Sequence, residues 1–126
     1  MKTSSFSANV LSILHEIYIA LEKFKATGEI FTIFINQAPL TQDERKIIND
    51  FLGKGSISVK LGNSSEPAEW QETGITGVWS GVIYNSFGKP IVELIEIGAF
   101  PQLASAHPED LKASLSKLGK QLQSLE

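Results

Sequence analysis

The spacing of apolar residues shifts near residue 56 from mainly helical steps of three and four to a long stretch of period two, and that shift limits the fold to one broad class. From Val10 to Phe24 the apolar side chains recur at steps of three and four: Val10, Leu14, Ile17, Leu21 and Phe24, with Ile13 and Tyr18 widening the stripe. That spacing lines one face of an α-helix. Ser7 stands where a side-chain oxygen caps the helix start, Lys23 and Lys25 suit its C-terminal end, and Gly28 supplies the left-handed residue that commonly closes a helix. A second helix opens at Thr41-Gln42-Asp43-Glu44, the pattern of a reciprocal capping box, with Leu40 before it as a staple residue. Its apolar face is Ile47, Ile48, Phe51 and Leu52, and Gly53 with Gly55 ends it. Between the helices, Ile30 to Ile35 reads IFTIFI, a β-branched and aromatic run that suits a buried strand.

From Ser56 onward the period is two. Ile57, Val59 and Leu61 alternate with Ser56, Ser58 and Lys60, Gly62 to Ser65 turns the chain, and Pro67 to Thr73 and Gly77 to Asn85 extend again. Asn85-Ser86-Phe87-Gly88 reads as a hairpin loop, and Pro90 to Gly98 returns with apolar residues on both faces, so it belongs in the sheet interior. Short connections between these segments imply antiparallel neighbours. The expected architecture is α+β: a mainly antiparallel sheet of about four to five strands, two helices on one of its faces, and a C-terminal helix.

That last helix opens at Pro108, with Glu109 and Asp110 in its first turn. Leu111, Leu115, Leu118, Leu122 and Leu125 follow at alternating steps of four and three. One reading docks this helix on its own domain. The other treats its narrow stripe as a seam for a second chain, because globular docking favours a wider stripe, and gives a homodimer through Leu111, Leu115, Leu118 and Leu122. The organisation expected is one domain over residues 1–126, with 107–126 as an appended amphipathic helix. A chain of 13.8 kDa should expose roughly 6,600 Å² when folded compactly.

Composition removes much chemistry. There is no cysteine, hence no disulfide framework, thiol nucleophile or thiolate-held metal or cluster. The two histidines, His15 and His107, lie far apart in sequence, which leaves little for a metal site or a triad. No apolar run approaches the roughly 20 residues of a membrane span, and the N-terminus lacks a leader pattern, so a cytoplasmic protein is expected. The net charge of −3 hides an asymmetry: Lys89 is the only cation between Leu61 and Leu111, against seven acids. A nucleic-acid surface needs clustered Lys and Arg, so no nucleic-acid partner is expected.

No catalytic set emerges. His15-Glu16 has no second ligand one helical turn away, and Glu93 and Glu96 lie three apart on a strand, pointing to opposite faces. The segment from Glu69 to Trp79 differs in kind: two tryptophans, Trp70 and Trp79, with Glu69, Glu72, Gly74 and Gly77, fall within eleven residues. Both indoles can be core residues beside a hairpin turn, or Glu69, Trp70, Glu72, Gly77 and Trp79 can form a surface for a protein client, since Trp is enriched in binding hot spots.

Several ordered stretches carry a resemblance. They are Leu14-His15-Glu16-Ile17, Thr27-Gly28-Glu29, Ala38-Pro39-Leu40-Thr41, Leu52-Gly53-Lys54-Gly55, Glu72-Thr73-Gly74-Ile75-Thr76-Gly77-Val78-Trp79 and Ile95-Glu96-Ile97. In this order the chain resembles the C-terminal domain of the HupH/HyaF family of hydrogenase expression and formation proteins. The resemblance implies a non-enzymatic accessory role in maturing nickel–iron uptake hydrogenases. The implied partner is a client such as the hydrogenase small subunit or another maturation factor, and the chain itself carries no cofactor, metal or catalytic residue. The reading from another class is a small-molecule-binding or enzymatic domain with a pocket between the first helix and the sheet, using His15 and Glu16.

Overall fold

Both expected helix starts are built by their own side chains. In the computed structural model, which describes residues 6–62 and 65–126, α1 (Ala8–Thr27) begins at Ser7, whose hydroxyl accepts the Val10 N–H at 3.2 Å. Gly28 closes it at φ 79°, in the left-handed region. The second helix, α2 (Gln42–Leu52), carries the complete capping box: Glu44 N–H donates to Thr41 Oγ1 at 3.1 Å and Thr41 N–H to Glu44 Oε1 at 2.9 Å. Ser7 Oγ donates to the other Glu44 oxygen at 2.5 Å, so one carboxylate ties the starts of both helices together.

Those bonds, the one from Ser7 foremost and then the Thr41 backbone N–H, hold the Glu44 carboxyl below its ordinary value. A carboxyl depressed in the folded state contributes stability above its unfolded pKa and loses it as pH falls through the folded value. We therefore expect the Glu44 carboxyl resonance to titrate at lower pH than a glutamate in the acid-unfolded chain. A midpoint at or above the unfolded value would contradict the linkage.

Five strands form one antiparallel sheet in the order β1-β5-β4-β3-β2. They are β1 (Phe31–Phe34), β2 (Ser58–Leu61), β3 (Ala68–Glu72), β4 (Val78–Tyr84) and β5 (Pro90–Ile97). The last four make a meander, and β1 adds to it beside β5, with Ile33 opposite Ile95. Residues directly opposite share a face. One face therefore carries Ile33, Val78, Ile95 and Ile97, which pack with Ile35 against Val10, Ile13, Ile17 and Ala20 of α1 and Ile48 and Leu52 of α2. The other face carries Ala68, Trp70, Trp79 and Leu94, joined by Val59, Leu61, Ile83, Val92 and Ala104. Ala104 comes from a 3₁₀ turn over Gln102–Ala104. Gly81 lies opposite Trp70 in register, and a Cβ there would come within 2.7 Å of the indole, so glycine makes room for the ring. The fold is α+β with two helices on one sheet face, as the sequence patterns indicate.

Three expectations change. The run Ile30 to Ile35 forms an edge strand rather than a buried one: Phe31 and Phe34 are exposed, and the chain leaves the sheet in a 3₁₀ turn at Ile35–Gln37. An apolar run with one free edge reads like one with neighbours on both sides. Tyr18, counted in the buried stripe of α1, is 64% exposed. The C-terminal helix, α3 (Pro108–Gln123), buries none of its residues and does not dock on the domain. Both apolar faces of the sheet are already filled, one by α1 and α2 and the other by the tryptophans and the Ala104 turn. The remainder of the helix-side sheet face is the polar surface around Ser58, Lys60, Glu69, Gln71 and Ser80, and the leucine stripe of α3 is buried against no part of the domain. Of the expected turn from Gly62 to Ser65, Asn63 and Ser64 lie outside the described residues, as do residues 1–5. Among the described residues no helix is long and apolar enough to cross a membrane.

Candidate functional site

The β3–β4 connection, Thr73 to Gly77, is a tightly bonded turn and sets the end of the sheet. Buried Thr73 places its hydroxyl 2.8 Å from Val78 O and 3.1 Å from Ile75 O, and that hydroxyl accepts the Ile75 N–H at 3.1 Å. Gly77 completes the turn at φ 92°, where a side chain would be strained, and a Cβ there would lie 3.1 Å from Leu21 Cδ1. Its bare surface thus lets α1 pack directly on the turn. The segment before β2 is held alongside: Gly55 N–H donates to Glu72 O at 2.7 Å and Glu72 N–H to Ile57 O at 2.9 Å.

Trp79 is anchored from the other side. Its Nε1–H donates to Gly98 O at 3.1 Å, and its ring meets Phe100 edge-on at 5.7 Å between centroids and 73° between planes. Glu96, its neighbour in register, is buried and accepts the Gln102 N–H at 2.9 Å, which fixes the turn that follows Phe100.

These fixed pieces enclose an open groove of about 850 Å³. Its walls are Tyr18, Leu21 and Phe24 of α1 on one side and Ile57, Trp79 and Phe100 on the other, with Gly77 at the end; Glu22, Lys25 and Glu72 supply the charge. The groove is mainly apolar, and two carboxylates face one ammonium. Such a surface suits an apolar or aromatic segment bordered by positive charge.

The five client-facing residues expected from sequence divide. Glu72, Gly77 and Trp79 line the groove. Trp70 lies 2% exposed beneath the second sheet face, and Glu69 points to the opposite face, 3.4 Å from Lys60. Trp79 is equally buried at 2%, so it serves as a wall rather than a protruding anchor. The exposed aromatic rings here are Tyr18 and Phe100, which the sequence reading did not select. The signal available was position: Tyr18 falls at the margin of the helical stripe, and Phe100 stands just beyond the last strand.

His15 is exposed, and Glu16 borders a different depression of about 210 Å³ with Ile19, Ala20, Lys23, Glu29 and Phe31. They do not converge. Glu93 and Glu96 point to opposite faces, Glu93 pairing with Arg45 at 3.4 Å. Among the described residues no three His, Asp or Glu side chains group as metal ligands would.

The profile of the family described as HupH hydrogenase expression protein, C-terminal conserved region, matches residues 7–125, a span that includes α3. The hydrogenase expression/formation protein HoxQ of Azotobacter vinelandii is 27% identical over 102 residues, covering 81% of this chain and 36% of HoxQ. The hydrogenase-1 operon protein HyaF of Escherichia coli is 26% identical over 115 residues, covering 91% of this chain and 39% of HyaF. The chain spans well under half the length of these curated relatives. The solved structure of the hydrogenase expression protein HupH from Thiobacillus denitrificans superposes with a TM-score of 0.84 at 30% identity, covering 94% of this chain and 98% of that one. Matched in sequence and in fold over nearly its whole length, the chain belongs to the HupH hydrogenase expression protein family, in that family's C-terminal conserved region.

Proposed function

We propose that this domain is a non-catalytic accessory factor in hydrogenase maturation, working in the cytoplasm by holding a polypeptide client in the groove between α1 and the β3–β4 turn. The client is the small subunit of a nickel–iron uptake hydrogenase, kept accessible while its iron–sulfur clusters are inserted. The observation that carries this reading is the groove: a preformed apolar cleft with two exposed aromatic rings and a rim of Glu22 and Glu72. Aromatic side chains over a rigid floor are the usual energetic centres of protein contacts. The carboxylates favour a segment bearing Lys or Arg beside its apolar residues. A chain without cysteine has no thiolate with which to carry a cluster, so its part in assembling an iron–sulfur enzyme falls to holding protein.

The test is co-purification from cells that make hydrogenase, with the Tyr18→Asp/Phe100→Asp double variant alongside the unaltered chain. Tyr18 is exposed, whereas Phe100 is partly exposed and meets Trp79 edge-on. The variant should therefore fold with a modest drop in melting temperature from the lost ring contact, worth about 0.5–1.5 kcal/mol, and capture is compared well below that temperature. The parent should enrich the small subunit, and the variant should lose at least about tenfold of that enrichment, the equivalent of roughly 1.4 kcal/mol. No enrichment of any hydrogenase component, together with normal hydrogenase activity in a deletion strain, would refute the proposal.

A further inference from the structure

The leucine helix presents a surface that nothing among the described residues covers. Leu111, Leu115, Leu118, Leu122 and Leu125 are between 54% and 81% exposed. The whole chain exposes 8823 Å², about 2,200 Å² more than mass scaling gives for a compact monomer. A stable interface buries about 800 Å² per partner, so the excess leaves room for one.

Three residues identify the occupant. Lys112, Gly119 and Glu126 each directly follow a seam leucine (Leu111, Leu118 and Leu125) and are seven apart in sequence. Lys112 and Gly119 share one flank of α3, and Glu126 follows in the turn that closes the helix, its N–H donating to Gln123 O at 3.2 Å. Gly119 has no reason within the chain to be glycine. Its φ is not positive, a Cβ there would meet nothing within 4 Å, and it lies inside α3, where it costs about 1 kcal/mol relative to alanine. A second α3 running antiparallel, with its two-fold axis beside Gly119, accounts for all three. It sets Gly119 against Gly119, where a missing side chain permits close backbone approach. It also sets Lys112 of each copy beside Glu126 of the other. A parallel pair would instead set this flank beside the opposite flank of the partner's stripe, leaving Gly119 and Lys112 without these partners.

We propose that α3 pairs antiparallel with α3 of a second copy of this chain, through the leucine seam and about an axis at Gly119. The dimer carries two grooves, one per domain. The pairing stands independently of what those grooves hold.

The natural chain has no cysteine, so one introduced thiol gives a unique label. Sedimentation should show twice the 13.8 kDa chain mass, and Leu118→Lys/Leu122→Lys should weaken association at least about tenfold without changing the melting of the domain. Lys112→Glu should weaken it, and adding Glu126→Lys should restore it. Spin labels at Lys120→Cys should lie close across the axis, whereas those at Glu109→Cys should be separated along it by about 30 Å, from 1.5 Å of rise per residue. A chain that stays monomeric up to about 1 mM, a dimer untouched by the leucine substitutions, or equal label distances at the two positions would each overturn the proposal.

Discussion

Replacing Trp79 with alanine is expected to lower the unfolding free energy by about 3–5 kcal/mol and to abolish client capture at the same time. The indole is almost fully buried, holds Gly98 O through its Nε1–H, and meets Phe100 edge-on. Truncation removes a large apolar surface, leaves a carbonyl without its donor, and withdraws the wall on which Phe100 rests. For a domain whose total stability is on the order of 5–15 kcal/mol, thermal unfolding should report a drop on the order of 10–20 °C. Trp79→Phe, which keeps the ring but not the N–H, should cost less than half as much. A Trp79→Ala protein that melts like the parent would mean that the two clusters of the core are not coupled through β4.

Ile97→Ala should produce a stability loss of similar size, about 2–5 kcal/mol, with a different functional outcome. Ile97 is fully buried on the helix-facing side of the sheet, opposite Val78 and Phe31. Its loss opens a cavity under α1 and α2 without removing any residue of the groove. Well below its melting temperature, this variant should bind client like the parent, measured as co-purification at low temperature. Stability loss alone thus separates from loss of the groove wall. If Ile97→Ala abolished capture while still folded, the groove would not be the site.

The elements fixed by local chemistry were legible in sequence. Thr41 and Glu44 cap α2 as their spacing implies, Ser7 and Gly28 bound α1, and the alternation from Ile57 to Ile97 assigns side chains to the two sheet faces. What escaped the sequence depends on long-range placement. The apolar run Phe31 to Phe34 does not say that it lies at an edge, because that follows from β1 pairing with β5 alone. The concentration of tryptophan and acid between Glu69 and Trp79 marks one end of the sheet, yet the pleat sends Trp70 and Glu69 to opposite faces. The groove's exposed rings, Tyr18 and Phe100, are brought together from positions 82 residues apart. The leucine stripe of α3 was visible as a pattern. That it does not settle on its own domain is seen only in the fold, where all of its leucines stay exposed.

If the groove holds a hydrogenase subunit, a photo-crosslinking amino acid at position 100, beside the Trp79 ring, should capture it. In cells assembling hydrogenase, irradiation should join the chain at this position to the small subunit, and the adduct should fade once maturation is complete. The same probe at Glu69, beside Lys60 and away from the groove, should give no such adduct. Equal labelling from both positions, or no hydrogenase component joined at position 100, would refute client binding in the groove.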